Sequence, residues 1–274
     1  MPPTAIECLS TLRFAAGRCW LDEPSLRADG IAAEAIAPAF DVDASHASLV
    51  KRDRRTAVWR TAAAGRRWIV KQYFLAPWRT RLYHSVCLSP AWREWRASQR
   101  LHRLGQRVCL PVGLLHDVRG GQMLLLPHIE GPTVHEHIEG LRSLDELTDS
   151  GRAARRQLID AIGRQMGELL AAGWVNRDYK PGNLIMDESC LRDGQPPVMI
   201  DTVGLRRRTS ERQAIRMLAV MMRSAARVSH VAPRERIACL RAILRADPSL
   251  ARGRVNRERY VLQAVREAIR KKPD

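Results

Sequence analysis

The sequence of 274 residues has no long apolar run, no paired cysteines and few lysines. No stretch approaches the roughly 18 consecutive apolar residues that a membrane-spanning helix needs, so we expect no transmembrane helix. The first residues lack a charged start followed by an apolar core, which predicts a cytoplasmic protein. The six cysteines are far apart, which is typical of buried thiols in a reducing compartment and argues against a disulfide framework.

Lysine is scarce, since only five of the 46 basic residues are lysine and the others are arginine. The lysines are Lys51, Lys71, Lys180, Lys271 and Lys272. Because arginine is the usual cation of this chain, the position of a lysine is more informative than in an average sequence. Lys71 and Lys180 both lie in segments that suggest phosphoryl transfer.

The segment at residues 175–187 reads Val-Asn-Arg-Asp-Tyr-Lys-Pro-Gly-Asn-Leu-Ile-Met-Asp. It has an aspartate, a lysine two positions later and an asparagine five positions later. Phosphoryl transfer needs a carboxylate to orient the acceptor hydroxyl, a cation for the moving phosphoryl group and a metal ligand. The segment resembles the catalytic loop of the protein-kinase-like phosphotransferases. This resemblance implies that Asp178 and Lys180 are catalytic and that Asn183 binds a metal ion.

Residues 68–74, Trp-Ile-Val-Lys-Gln-Tyr-Phe, predict a strand with Ile69 and Lys71 on one face. The strand resembles the third strand of the kinase N-lobe, whose lysine holds the α and β phosphates of the nucleotide. Residues 89–105 predict a helix with Glu94 on its apolar face. A carboxylate on that face needs a cation, so we predict an ion pair between Glu94 and Lys71. The alternatives are a surface arginine as the partner of Glu94 and a sheet-edge position for Lys71.

The run Val198-Met199-Ile200-Asp201 is a short apolar strand that ends in an acid. It resembles the kinase Asp-Phe-Gly signature, which implies that Asp201 is a Mg²⁺ ligand. Two departures stand out. Gly204 follows the aspartate by three positions instead of two, without a phenylalanine, and Asn176 stands where the family usually has histidine. Asparagine keeps a hydrogen-bonding side chain, so we interpret this second change as one of support and not of chemistry.

The remaining patterns predict a domain layout. Residues 1–45 predict a partly ordered lead-in with one helix at 31–37. Residues 46–129 predict a β-rich N-lobe that ends in an inter-lobe linker at 124–129, and residues 130–274 predict a small helical C-lobe. The other predicted elements are strands at 47–51, 56–61, 108–116 and 122–127 and helices at 158–172, 211–229, 234–245 and 256–270.

The turn between the first two of these strands, Arg52-Asp53-Arg54-Arg55, contains no glycine. In a protein kinase this hairpin carries a glycine-rich cover for the nucleotide phosphates. Without glycine the backbone cannot approach the phosphates closely. Either the basic side chains take over that contact or the turn is simply solvated.

The order of these motifs resembles that of the bacterial lipopolysaccharide kinases, which phosphorylate Kdo or heptose of the inner core. The shared features are a strand lysine, an Ala-Trp-Arg-Glu-Trp helix that ends Leu-His-Arg-Leu-Gly, a catalytic loop and a brief C-lobe. The resemblance covers residues 47–205. It implies an α+β, bilobal protein-kinase-like fold, ATP and Mg²⁺ as cofactors, and a sugar hydroxyl on an anionic, lipid-linked acceptor. It also implies that Val58 and Ile69 join Lys71 and Glu94 in binding the nucleotide.

Three other functions fit parts of the sequence: a Ser/Thr protein kinase, a small-molecule kinase of the aminoglycoside type, and a pseudokinase scaffold. Protein kinases have a long activation segment after the metal-binding aspartate, closed by Ala-Pro-Glu. Here Asp201 is followed within about ten residues by helical sequence, and the nearest match, at residues 232–235, is interrupted. The complete set of site residues argues against a scaffold.

The formal net charge of +17 indicates an anionic partner. Arg93, Arg96, Arg100 and Arg103 form a stripe on the predicted helix, opposite its apolar face. Residues 78–83 mix cations with tryptophan and tyrosine, as membrane-interface segments do. We therefore expect peripheral contact with an anionic membrane at its cytoplasmic face and no nucleic acid. A solvated basic face is the alternative.

Overall fold

The structure is a computed structural model that describes residues 10–14, 17–74, 89–117, 121–140, 148–228 and 231–270. These residues divide into two compact units. The first contains the described residues up to Arg103 together with 109–128, and the second contains 104–108 and the described residues from Ile129 onward. Within the described residues, no helix combines the length and the apolar character needed to cross a bilayer.

The first unit is built on an antiparallel sheet of seven strands in the order β1-β2-β6-β7-β5-β4-β3. The strands are β1 (Ser10–Phe14), β2 (Gly17–Leu21), β3 (Ser48–Arg52), β4 (Thr56–Ala63), β5 (Arg66–Tyr73), β6 (Gly113–Asp117) and β7 (Gln122–Pro127). Its helices are α1 (Glu23–Ala28), a 3-10 helix (Ala33–Phe40) and α2 (Pro90–Arg103). The predicted β-rich N-lobe is confirmed.

The two faces of this sheet bury different side chains. Trp68 and Val70 of β5 belong to an apolar core that includes Ile36 and Phe40 of the 3-10 helix. The alternate residues of β5 point to the opposite face, where Lys71 meets α2. The sheet thus uses one face for stability and presents the other to the helix that carries Glu94.

The sequence contains more regular structure before residue 46 than we predicted. Strand β2 pairs with β6 inside the sheet, and α1 and the 3-10 helix follow it. Trp20 of β2 packs edge-on against Trp92 of α2, with ring centroids 5.4 Å apart. The lead-in therefore supplies part of the surface on which α2 rests. Its strands were missed because each is short and lacks a clear period-two pattern.

The second unit is mainly helical and contains two short antiparallel ribbons, β8–β11 and β9–β10, in its described residues. Its strands are β8 (Trp174–Asn176), β9 (Leu184–Ile185), β10 (Val198–Met199) and β11 (Leu205–Arg207). Its helices are α3 (Val134–Gly140), α4 (Asp149–Ala171), α5 (Glu188–Asp193), α6 (Glu211–Arg227), α7 (Pro233–Ala246) and α8 (Arg257–Arg270). The helical C-lobe and its last three predicted helices are confirmed.

Several boundaries differ from the predictions. Helix α4 begins nine residues before Leu158, at Asp149, where the side chain of Thr148 caps it. Strand β6 begins at Gly113 and not at Val108, because residues 109–112 are not paired as a strand. Residues 124–127, predicted as linker, belong to β7 in the middle of the sheet. Four of the six cysteines are described, and all four are buried, free thiols, whereas Cys8 and Cys87 lie outside the described residues.

Helices α4 and α7 pack closely along a pair of glycines. A Cβ atom on Gly163 or Gly167 would lie 2.6 Å from the Cβ atom of an alanine on α7. Beside this contact lies an ion pair between Arg155 of α4 and Glu235 of α7, with N to O distances of 2.6 and 3.0 Å. Both side chains are more than nine-tenths buried. The carboxylate of Glu235 also accepts a hydrogen bond from the backbone N–H of Ala232, at the start of α7.

We expect Arg155→Leu to lower the free energy of unfolding by about 3–5 kcal/mol, because it leaves the Glu235 carboxylate buried without its cation. The double variant Arg155→Leu/Glu235→Leu should recover much of that loss. Urea denaturation followed by circular dichroism measures both. Arg152→Leu on the same helix is the control, since its pair with Asp149 is exposed and its loss should change stability far less. Equal effects of Arg152→Leu and Arg155→Leu would contradict the assignment.

Candidate active site

The first unit contains the predicted ion pair. Lys71 Nζ lies 2.5 Å from a carboxylate oxygen of Glu94, and the exposed fractions of the two side chains are 14% and 1%. Tyr73, two residues after Lys71 on the same face of β5, donates its hydroxyl to the other carboxylate oxygen. The carboxylate is therefore neutralised by a cation and also hydrogen-bonded, as a buried charge requires.

Cys109 adjoins this pair without adding charge. Burial raises the pKa of its thiol to about 12, while nearby Lys71 lowers that pKa and Glu94 raises it by smaller amounts. The thiol is therefore protonated at neutral pH. The local charge is set by one ammonium and one carboxylate, and the ammonium keeps the larger exposed fraction.

Val58 and Ile69 share the face of Lys71. Val58 is directly opposite Lys71 in the β4–β5 pairing, and Ile69 precedes Lys71 by two residues. Both side chains are half-buried. Leu124 and Leu126 of β7 lie opposite Lys71 and Ile69 on the other side of β5. The sheet thus offers an apolar surface beside the lysine, which is the chemistry that an adenine ring requires.

The turn at Arg52–Arg55 is closed by Asp53. Its carboxylate accepts hydrogen bonds from the backbone N–H groups of Arg55 and Thr56, at 2.7 and 2.8 Å, and from the Thr56 hydroxyl. These bonds hold the pKa of Asp53 below its usual value, with the Arg55 N–H as the largest cause. The N–H groups of Arg55 and Thr56, which could otherwise bind phosphate, are therefore already used. The exposed arginine side chains are the cationic groups that this turn offers to an anion.

In the second unit, β8 leads into the predicted catalytic loop and Asn176 organises it. The side-chain oxygen of Asn176 accepts a hydrogen bond from the backbone N–H of Asp178 at 3.1 Å. Its amide nitrogen donates to the carbonyl of Asp201 at 3.5 Å and contacts the sulfur of Met199 at 3.6 Å. Asn176 is completely buried. The residue that replaces the family's usual histidine thus joins the two segments that carry Asp178 and Asp201.

The predicted metal ligands are brought together by the β9–β10 ribbon. Asn183 immediately precedes β9, and Asp201 lies two positions after the end of β10. The backbone N–H of Ile200 donates to the carbonyl of Asn183 at 2.9 Å. The amide nitrogen of Asn183 donates to the carbonyl of Asp178 at 2.8 Å. This bond leaves the side-chain oxygen of Asn183 as the atom suited to a metal. Asp201 has a left-handed backbone with φ of 58°, a conformation that is uncommon for residues other than glycine.

These donors fit Mg²⁺. No group of three or more His, Cys, Asp or Glu side chains within the described ranges has the arrangement of a self-contained metal site. Mg²⁺ in phosphoryl-transfer enzymes does not need one, because it is bound by one or two protein oxygens together with substrate phosphates and water. Asn183 and Asp201 supply two oxygen donors of that kind.

The surroundings of Gly204 explain why a glycine is found three positions after Asp201. A Cβ atom at this position would lie 2.6 Å from a carboxylate oxygen of Asp178 and 2.7 Å from the side-chain oxygen of Asn176. The carbonyl of Gly204 accepts a hydrogen bond from the backbone N–H of Arg177 at 3.3 Å. The turn after Asp201 therefore passes directly against the catalytic loop, and only glycine leaves room for the Asp178 carboxylate.

Two supporting residues were not identified from the sequence. Gln165 of α4 accepts a hydrogen bond from the hydroxyl of Tyr179 at 2.8 Å and donates to the carbonyl of Pro197 at 3.0 Å, which ties the catalytic loop to the start of β10. Burial raises the pKa of Tyr179 well above its usual value, so the hydroxyl remains a donor.

Arg107 binds the other end of the ribbon. Its guanidinium donates to Asp187 and to the carbonyl of Pro196, at 2.5 and 2.6 Å. A single glutamine or arginine in a helix or loop gives no sequence signal, since its role depends on which backbone carbonyl folds back onto it.

Asp178 and Lys180 both line a cavity of about 1140 Å³ in the second unit. Asp178 is half-buried, so its carboxylate is reachable from this cavity while its backbone is fixed by Asn176. The structure therefore brings together Asp178, Lys180, Asn183 and Asp201 within one framework, and it places Lys71, Glu94, Val58 and Ile69 together in the other unit.

The model of the lipopolysaccharide kinase (Kdo/WaaP) family matches residues 41–242. The chain belongs to this family. As a lipopolysaccharide kinase family member it is a phosphotransferase, and the resemblance inferred from its motifs is confirmed. The match includes every predicted site residue.

A solved structure titled "WaaP in complex with acyl carrier protein" is similar to this chain, with a TM-score of 0.62 and 21% sequence identity. The similarity covers 93% of this chain and 98% of that one. At this identity the similarity establishes the protein-kinase-like fold, with a β-rich N-lobe and a helical C-lobe. No curated protein gives a significant match.

We expect Gly204→Ala to lower kcat of this lipopolysaccharide kinase family member about 100-fold. If Asp178 is the catalytic base, as predicted, an ångström of displacement there has an effect of that size. Steady-state phosphorylation assays measure it. Gly182→Ala in the same loop is the matched control, since a Cβ atom there meets nothing within 4 Å. Unchanged kcat in Gly204→Ala, or an equal loss in Gly182→Ala, would contradict a role for Gly204 in positioning Asp178.

Proposed function

We propose that the chain transfers the γ-phosphoryl group of ATP to a sugar hydroxyl of the lipopolysaccharide inner core or of a related glycolipid. The observation that carries this proposal is the framework around Asn176, whose side chain is hydrogen-bonded to the backbone of Asp178 and to that of Asp201, the proposed metal ligand. Membership of the lipopolysaccharide kinase family supports the sugar acceptor. Asp178 and Lys180 both line the cavity of the second unit, which supports phosphoryl transfer to an acceptor bound there.

Each of the four site residues in the second unit has a proposed role. The carboxylate of Asp178 orients the acceptor hydroxyl and accepts its proton as the oxygen attacks phosphorus. The ammonium of Lys180 offsets negative charge on the phosphoryl group during transfer. The side-chain oxygens of Asn183 and Asp201 would hold Mg²⁺, which neutralises charge on the nucleotide phosphates when bound.

The first unit has the proposed role of binding the nucleotide. Lys71 contacts the α and β phosphates, and Glu94 together with Tyr73 keeps its ammonium in place. Val58 and Ile69 pack against adenine. The exposed arginine side chains of the 52–55 turn contact phosphate, since Asp53 already accepts hydrogen bonds from the N–H groups of Arg55 and Thr56.

The segment after Asp201 favours a glycan over a protein as the acceptor. Strand β11 returns to pair with β8 at Leu205–Arg207, and α6 begins at Glu211. A protein kinase needs a long activation segment here to bind an extended peptide. The interrupted match at Ala232 forms the start of α7, where Glu235 serves the ion pair with Arg155.

We expect Asp178→Asn to lower turnover by at least 10³-fold while nucleotide affinity stays within a few-fold, since positioning and proton transfer dominate this chemistry. Single-turnover assays with radiolabelled ATP measure the first quantity, and calorimetric titration with a non-hydrolysable ATP analogue measures the second. Lys71→Met, in contrast, should weaken nucleotide binding in the calorimetric titration. An Asp178→Asn enzyme with normal turnover would falsify the assignment.

We also propose that α2 docks the protein on an anionic membrane. Arg93, Arg96, Arg100 and Arg103 are all exposed on α2, whereas Glu94 and Leu101 on its other side are buried. The basic stripe predicted from the sequence is thus present on the surface. The aromatic segment at residues 78–83, which we expected to accompany it, lies outside the described residues.

Charge reversal at Arg96 and Arg100 should weaken binding to anionic vesicles about 30-fold or more, since each basic residue near such a surface contributes about 1 kcal/mol. Co-sedimentation with anionic and neutral vesicles over a salt series measures this, and binding should fall as salt increases. Arg234→Glu/Arg252→Glu is the control, with the same change in net charge at exposed sites of the second unit. Equal binding to both vesicle types at low salt would refute docking.

A further inference from the structure

The cavity beside Asp178 is lined by arginines from three elements of the second unit. We call it the arginine groove and define it by Arg177 of the catalytic loop, Arg206 of β11, and Arg212 and Arg216 of α6. Arg212 and Arg216 are four residues apart, so they lie on one face of α6 about 6 Å from each other along the helix axis. The groove therefore begins at the catalytic aspartate and continues along α6.

Three acids, Asp178, Glu211 and Glu267, line the same cavity, but none of them forms an ion pair with these arginines in the described part of the chain. Glu211 accepts hydrogen bonds from the hydroxyl of Tyr260 at 2.8 Å and from the backbone N–H of Ala251 at 3.2 Å. Glu267 accepts one from Gln263 at 3.3 Å. Across the described ranges, none of the four arginines of the groove forms an ion pair with an acidic side chain.

Other arginines of this unit do form ion pairs, so the high arginine content alone does not explain why the four arginines of the groove lack acidic partners. Arg107, Arg155, Arg208 and Arg245 each pair with a carboxylate within 2.6 Å. Four like charges around one cavity repel one another, so an anion that enters the groove gains from all of them. Guanidinium groups also match carboxylate and phosphate oxygens in paired hydrogen bonds.

Part of the cavity lining is less polar. It consists of Tyr260, Ala264 and Ala268 of α8 and Val220 of α6. A lining of this kind suits the ring faces of a sugar, whereas the arginines suit its acidic substituents.

We propose that Arg206, Arg212 and Arg216 select the acceptor by binding oxyanions on sugars next to the one that reacts at Asp178. This inference rests on the proposed function and adds to it a set of specificity-determining side chains. The ligand chemistry is a carboxylate or a phosphate carried by the glycan. An acceptor with the reacting sugar but without those charges binds weakly.

The test uses a deacylated inner-core oligosaccharide in three forms: native, with its carboxylates reduced to alcohols, and with its phosphates removed enzymatically. Calorimetric titration without nucleotide measures affinity, and phosphorylation assays measure kcat and KM. Wild type should bind at least one altered form 10- to 100-fold more weakly than the native one, as expected for loss of charge-assisted hydrogen bonds. The altered form that loses affinity identifies the oxyanion.

Arg216→Gln should bind the native oligosaccharide 10- to 100-fold more weakly and should no longer distinguish it from that altered form. The change should be in KM, with kcat nearly unchanged, since Arg216 holds a part of the acceptor that does not react. Arg234→Gln is the control, an exposed arginine of the same unit outside the groove. It should retain both affinity and discrimination.

Two results would overturn the proposal in distinguishable ways. Equal binding and phosphorylation of all three forms by wild type would reject the arginine subsite while the sugar kinase function remained intact. Failure of wild type to bind or phosphorylate any form, together with transfer of phosphate to a protein or an aminoglycoside, would reject both. Unchanged discrimination in Arg216→Gln and in the matching Arg212→Gln variant would also reject the subsite.

Discussion

The active-site framework depends on one buried amide. Asn176 has no exposed surface, and it contacts the backbone of Asp178 through its oxygen and the backbone of Asp201 through its nitrogen. A side chain with both a donor and an acceptor is needed, because the two segments offer an N–H on one side and a carbonyl on the other. The aspartate proposed as the base and the aspartate proposed as a metal ligand are therefore positioned by the same group. Gly204 completes the arrangement by leaving space where these segments meet.

In the first unit, the ammonium of Lys71 stays partly exposed while the carboxylate of Glu94 that pairs with it is buried. Glu94 is almost wholly buried, and burial of a carboxylate is costly unless it is paired and hydrogen-bonded. Lys71 and Tyr73 meet both conditions from the same strand. Strand β2 contributes indirectly, because Trp20 packs against the helix that carries Glu94. The N-terminal strands lie in the segment that the sequence predicts to be a partly ordered lead-in. They thus help to position a residue of the proposed nucleotide site.

The sequence was sufficient for residues whose chemistry is unusual at their position, and insufficient for those defined by long-range contacts. A lysine in an arginine-rich chain and a glutamate on an apolar helix face both predicted their own pairing, which the structure contains. The β3–β4 hairpin and the last three helices also followed from local pattern. Gln165, Arg107 and Gly204 act through backbone atoms 27 to 89 residues away, and no periodicity encodes those contacts. The N-terminal strands were missed because short strands depend on the strands they pair with more than on their own residues.

Arginine and lysine have different roles in this chain. Arginine forms the buried structural pairs at Arg155 and Arg208 and lines the groove, where its planar fork can hold carboxylates or phosphates with two hydrogen bonds. Lysine stands at 71 and 180, the two places where a moving or diffuse phosphate charge is proposed to be met. An ammonium is a compact charge with rotatable donors, so it can follow oxygens whose positions change during transfer, whereas a guanidinium would fix one geometry. On this argument a chain with 41 arginines keeps lysine at these positions because the reaction there needs a point charge and not a fork.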